Sequence, residues 1–244
     1  MDLLQKSGKL VIRRNNFKSI RFTADNQVAV LPLTATIKGQ TAATYEFWYK
    51  PDSIPTSTEP LLMESTSVTY GALRFGITQL SGGVIQGGFR PTDDAAPAIV
   101  ITGSGGILRV GYWSHLALTV DTVTDEMYLY FNGFVIGSNN APKATFSGAT
   151  SADVRIATVV NNAIRGYFSE VRIWNVARTQ AQIQESMFES LTGPITGLVA
   201  LYKFDDSSTT VLDDSSGNGN HGTSTSTITR TIQESPLNIK FIKR

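Results

Sequence analysis

The run Gly166-Tyr167-Phe168-Ser169-Glu170-Val171-Arg172-Ile173-Trp174-Asn175-Val176-Ala177-Arg178 decides how the chain folds. Its alternation is that of a β-strand, with period two. Ser169, Val171, Ile173 and Asn175 fall on one face; Glu170, Arg172 and Trp174 fall on the other. A helical pattern then opens at Thr179. Its hydroxyl caps free N–H groups, and Gln182 three residues on completes a capping box. Ile183, Met187 and Leu191 recur every four residues on one helix face, which predicts a short helix over about 179–191. Elsewhere short apolar runs alternate with turns, so one helix borders a sheet protein.

Working outward, other segments read as strands. Tyr45, Phe47 and Tyr49 alternate with Glu46, Trp48 and Lys50, and Pro51 ends the run by removing a ladder donor. Leu116, Leu118 and Val120 share one face, and His115 shares the other with Trp113 and Ala117. Met127–Phe131 and Phe134–Ile136 flank Asn132-Gly133, the strongest short hairpin signal because both turn residues tolerate positive φ. Leu61–Glu64, Ala72–Ile77, Val154–Ala157, Leu198–Phe204 and Val211-Leu212 are further strands.

Five of these segments, in order, resemble laminin G-like jelly rolls of the concanavalin A class. They are Ile20–Val30, Tyr45–Pro51, Trp113–Gly133, Glu170–Ile183 and Gly197–Gly222. The resemblance implies an all-β jelly-roll sandwich of two antiparallel sheets with one short helix, spanning 18–224. Residues 1–17 then form an N-terminal arm or an added edge strand, and 225–244 a C-terminal strand or tail. Leu237, Ile239 and Phe241 alternate with no obvious partner inside one sandwich. An unpaired edge is a binding template, so terminal strands are expected to pair across a subunit interface.

Composition narrows the function. The chain has 244 residues, 41% of them hydrophobic, enough for one large sandwich core. Its 21 basic and 20 acidic residues give a net charge of +1, unlike the basic excess of a nucleic-acid binder. No run of about 20 apolar residues marks a membrane span. Cysteine is absent and there are two histidines, which leaves no disulfide framework and nearly excludes zinc and thiol chemistry. Met1–Lys9 lacks the pattern of a secretory signal.

Candidate chemistry is sparse. Gly217-Asn218-Gly219-Asn220-His221-Gly222 matches the G-x-G-x-x-G spacing, but Thr223–Ser226 opens no helix, so it reads as a turn. Asp213, Asp214 and Asn218 are a calcium candidate, since hard oxygen ligands lie close together and some relatives in the resembled family bind calcium at a sandwich edge. No other cofactor is expected. A glycosidase needs paired carboxylates along a strand. Asp121, Asp125 and Glu126 sit at a turn instead, and Glu170 stands alone on its strand. His115 reads as a packed histidine. Tyr70, Phe89, Tyr112 and Tyr167 lie near turns and are candidates for stacking on sugars.

The expectation is a non-catalytic structural or adhesion module. Its first form is an exposed bacteriophage virion protein (capsid decoration, head fibre or tail component), held by subunits of a larger assembly or as a homo-oligomer. The alternative is a secreted or cell-surface glycan-binding module; a glycoside hydrolase stands third.

Overall fold

The computed structural model describes residues 3–6, 9–12, 18–24, 27–32, 40–65, 73–89, 99–141, 153–157, 164–225 and 227–232. Tyr70 and the 236–244 pattern lie outside them.

Two antiparallel sheets of eight strands each form the sandwich. The first contains, in spatial order, β12 (Phe134–Asn139), β11 (Glu126–Phe131), β10 (Ser114–Asp121), β5 (Ala42–Pro51), β14 (Gly166–Trp174), β3 (Lys18–Phe22) and β18 (Thr229–Ile232). Strand β15 (Leu198–Tyr202) pairs with the second half of β14. The second contains β16 (Val211–Leu212), β17 (Gly222–Ser224), β4 (Ala29–Leu31), β13 (Asp153–Ile156), β6 (Glu59–Ser65), β7 (Leu73–Gln79), β8 (Ile85–Phe89) and β9 (Ile99–Thr102). Hairpin neighbours such as β10-β11-β12 and β6-β7-β8-β9 alternate with pairs distant in sequence, such as β5-β14, β14-β3 and β4-β13, as a jelly roll requires. Near the N-terminus β1 (Leu3–Lys6) and β2 (Lys9–Ile12) pair with each other, not with either large sheet.

The core is the space between the inner faces. Tyr45, Phe47, Leu116, Leu118, Val171 and Ile173 come from the first sheet; Leu62, Phe75, Ile77, Phe89, Val154 and Ile156 come from the second. Each such side chain contributes about 1.5–3 kcal/mol by leaving water. Gly87 lets the sheets close: a Cβ there would lie 2.6 Å from Leu118 Cδ1. The Asn132-Gly133 turn has φ of 50° and 79°, as the two-residue hairpin demands.

Strand β14 departs from strict alternation. Its pairing with β5 shifts register between Ser169 and Arg172, and Glu170 takes φ 49°. This bulge changes which side chains face inward. Phe168 joins Val171 and Ile173 in the core. Ser169 pairs with Trp48 and bonds the Lys18 carbonyl, so it does not share the face of Val171.

Helix α1 (Gln180–Ser186) has the expected capping box on Thr179 and Gln182. It is shorter than the periodicity predicts. Side chains of the first sheet take the carbonyls that another turn would use. Trp48 Nε1 donates to the Met187 carbonyl at 2.8 Å, and Arg172 donates to those of Ser186 and Glu189. Leu191 therefore packs beside Trp174, Leu198 and Leu201, outside the helix.

Candidate functional site

The outer face of the first sheet is roofed by α1 and the segment after it. Alternation along β5 and β10 sends Glu46, Trp48, His115 and Ala117 outward, where the helix buries them. Ile183 packs on Ala117 and Tyr130. Trp48 stacks against His115 and Phe188, with ring centroids 5.2 Å and 5.4 Å away.

A charged cluster is sealed under this roof. Glu46 is fully buried, and its Oε1 accepts from Arg178 Nη1 at 2.7 Å and Trp174 Nε1 at 2.9 Å. Arg172 Nη1 lies 3.7 Å from the same oxygen, and Nη2 donates to Glu170 Oε2 at 3.0 Å. His115 Nε2 faces Glu46 Oε2 at 3.6 Å. Burial works against the Glu46 charge, but Arg172, His115, Arg178 and the Trp174 bond together hold its carboxyl below the usual range. Burial pushes His115 down to about 4, against the raising effect of Glu46 and helped by Arg172 and Arg178. Burial raises Glu170 despite Arg172. Glu46 and Glu170 thus face Arg172 and Arg178 around an imidazole that burial keeps neutral above about pH 4.

Beside the roof, where β10 turns into β11, a groove of about 340 Å³ opens. Thr119, Asp121, Thr124, Glu126, Tyr128 and Tyr130 line one wall, and Ala177 to Gln180 line the other. Asp121 and Glu126 are cross-strand partners. Asp121 Oδ1 accepts from the Val123 and Thr124 amides at 2.9 Å and 3.2 Å, which shapes the turn. Glu126 accepts from the Thr124 hydroxyl through Oε2 and the Tyr128 hydroxyl through Oε1, both at 3.1 Å. That bond to Glu126, with burial behind it, raises the Tyr128 phenol. Arg178 reaches the groove from below. Its guanidinium stacks 4.2 Å over the Trp174 ring and donates to Glu46, Ser186 Oγ and the Gln182 carbonyl. The groove therefore offers an aromatic face, hydroxyls and carboxylate acceptors on a rigid base.

The calcium candidates are drawn into the loop's own hydrogen bonds. Asp214 Oδ1 accepts from the Leu201 and Ser216 amides, and its Oδ2 from the Asn220 amide. Asp213 lies 3.4 Å from His221 at the surface, and Asn218 donates to the Leu198 and Val199 carbonyls. Gly217 and Gly219, at φ 89° and 76°, make this a turn. Asn218 and Asn220 also border a depression of about 390 Å³ with Gln40 and Asn175.

Of the aromatic candidates, Phe89 is core and Tyr112 is 69% exposed. Tyr167 is packed between Arg21 and Lys50, whose charged groups lie 4.9 Å and 4.3 Å from its ring. Glu170 is the one carboxylate on its strand, and it pairs with Arg172. Asp121 and Glu126 meet across two strands, a pairing that a linear reading misses because register sets it. Tyr128 and Tyr130 alternate with Met127, Leu129 and Phe131, and that alternation gives the strand without telling which face lines a groove.

No curated protein matches the chain. Among solved structures, it is similar to a Bacteroides ovatus protein to which carbohydrate binding is provisionally ascribed, at TM-score 0.68 and 19% identity over 92% of this chain. The chain spans 62% of the length of that protein. It is also similar to the CBM40 domain of a Ruminococcus gnavus sialidase, solved with an α2,6-linked sialyllactose, at TM-score 0.52 and 15% identity. That match covers 69% of this chain and 96% of the domain. The laminin G family model, described as the concanavalin A-like lectin/glucanases superfamily, matches residues 22–184. The chain belongs to the concanavalin A-like lectin/glucanase superfamily, as a laminin G-like domain.

Proposed function

We propose that the protein is a non-catalytic glycan-binding module and that the Tyr128 groove is its binding site. The observation that carries this is the groove's wall, where an aromatic ring lies beside Glu126, Asp121, Thr119 and Thr124 over a locked base. Sugars stack their C–H faces on such rings and satisfy their hydroxyls on neighbouring polar groups. Similarity to carbohydrate-binding structures supports the reading at the level of fold.

The superfamily includes glucanases, so the carboxylates bear on catalysis. The buried carboxyls on this sheet, Glu46 and Glu170, are closed under the helix and the segment after it and paired with arginine. No substrate reaches them. Those in the groove stand in water, with Glu126 exposed and Asp121 half-buried, where they accept hydrogen bonds from turn and tyrosine. General acid catalysis needs a substrate-facing carboxyl whose surroundings hold its proton. Nothing in the fold or the comparisons points to a virus particle, so the glycan-binding alternative replaces that reading, with an extracellular or cell-surface setting as part of the proposal.

A glycan array with the whole chain, followed by calorimetry on the strongest ligands, tests it. Tyr128→Ala should weaken binding about tenfold or more, as truncating an aromatic anchor does. Unchanged affinity in that variant, with binding intact, would place the site elsewhere.

A further inference from the structure

We infer that the groove selects neutral, hydroxyl-rich glycans and disfavours acidic ones such as uronates and sialosides. This rests on the glycan-binding reading and adds the chemistry of the ligand. Two of the lining side chains, Asp121 and Glu126, are carboxylates, and Asp125 sits between them in the turn. Each Glu126 oxygen accepts one bond from the protein and keeps a second lone pair. Among the described residues Asp121 Oδ2 has no donor. These are acceptors for sugar hydroxyls.

Arg178 is the one cation among the lining residues, and its Nη1 end is turned to buried Glu46. Its Nη1 serves Glu46 at 2.7 Å and Ser186 Oγ at 2.8 Å, and Nη2 serves the Gln182 carbonyl at 2.9 Å. With both Nη1 hydrogens committed and one face on Trp174, the end-on fork is closed to a ligand carboxylate, and Nε–H with the second Nη2 hydrogen is what remains. Its charge is also cancelled at contact distance by buried Glu46. What a ligand meets is an acidic rim. A sugar carboxylate some 6 Å from each of two such groups, in near-aqueous dielectric, is disfavoured about tenfold at low salt. Screening then narrows the gap as salt rises. The likeness to a domain solved with sialyllactose thus extends to the fold and not to its acidic ligand.

The test is calorimetry on the whole chain with matched probes: neutral hexose tetrasaccharides, the same sugars oxidised at C6 to uronates, and lactose beside sialyllactose. The expected result is binding of a neutral sugar, with its acidic partner about tenfold weaker at low salt. That ratio should shrink several-fold in high salt and in Glu126→Gln, an exposed position where the amide leaves the fold intact. Equal or tighter binding of the acidic partner overturns the selectivity while glycan binding stands. A ratio insensitive to both salt and Glu126→Gln overturns it too. Failure of every neutral and acidic probe overturns the glycan-binding reading and the selectivity with it.

Discussion

Replacing Glu46 by Gln is the sharpest test of how the site is held. Glu46 has no exposed surface, and its carboxylate faces two guanidiniums, at 2.7 Å and 3.7 Å. Charges about 4 Å apart attract by roughly 4 kcal/mol at an effective dielectric near 20, and burial of each ion opposes much of that. Removing one partner costs more than the pair's net worth, because the other is left buried without it; about 3–5 kcal/mol is usual. Gln keeps an oxygen for Trp174 and Arg178, which points to the low end, about 3 kcal/mol. With a urea slope near 3 kcal/mol/M, the midpoint should fall by about 1 M. Urea unfolding followed by circular dichroism and by tryptophan fluorescence measures it, since Trp48 and Trp174 both lie at the cluster. The double variant with Arg178→Gln should cost at least about 1 kcal/mol less than the two single changes added together. A midpoint shift below about 0.2 M at unchanged slope, or strict additivity, would refute the claim that this charge anchors the roof.

Two further outcomes follow from the same structure. The folded pKa of His115, about 4, lies below its unfolded value of 6.5, so stability falls as pH drops through that window, because only the unfolded chain takes the proton readily. The lowered Glu46 adds to the loss further down, below about 4.5, and the raised Glu170 works against it. His115→Gln should flatten the fall by up to one proton, about 1.4 kcal/mol per pH unit; denaturation midpoints at about pH 7, 6 and 5 decide it, and parallel slopes refute it. At the other edge of the sandwich, a Cβ on Gly137 would lie 2.3 Å from Ile101 Cγ2, where β12 of one sheet meets β9 of the other. Gly137→Ala should cost about 1–3 kcal/mol by overpacking, seen as a lower melting temperature, and an unchanged one would show that this edge yields freely.

Local chemistry was legible in the sequence wherever one short stretch determines its own conformation. Asn132-Gly133 gives its hairpin because two consecutive residues tolerate positive φ, and Thr179 with Gln182 gives its capping box because three residues separate the two groups that bond. The site is of another kind. Nothing at Glu46 tells an outward carboxylate in solvent from one under a helix, because the covering chain arrives more than 130 residues later, bringing Arg178. The bulge at Glu170 is equally silent, since no glycine marks its positive φ and a strict period of two carries Ser169 to the wrong face. Yet that bulge lets Phe168 and Val171 both enter the core and leaves Glu170 and Arg172 on the outer side as an ion pair. The local rule fails where tertiary structure assembles the cluster beneath the groove. Departures from a local rule are expected at functional sites. Here the departure is tied to the proposed groove by distance: Arg178 touches the cluster and is itself part of the groove lining, so whatever disturbs the bulge should reach that wall through its guanidinium.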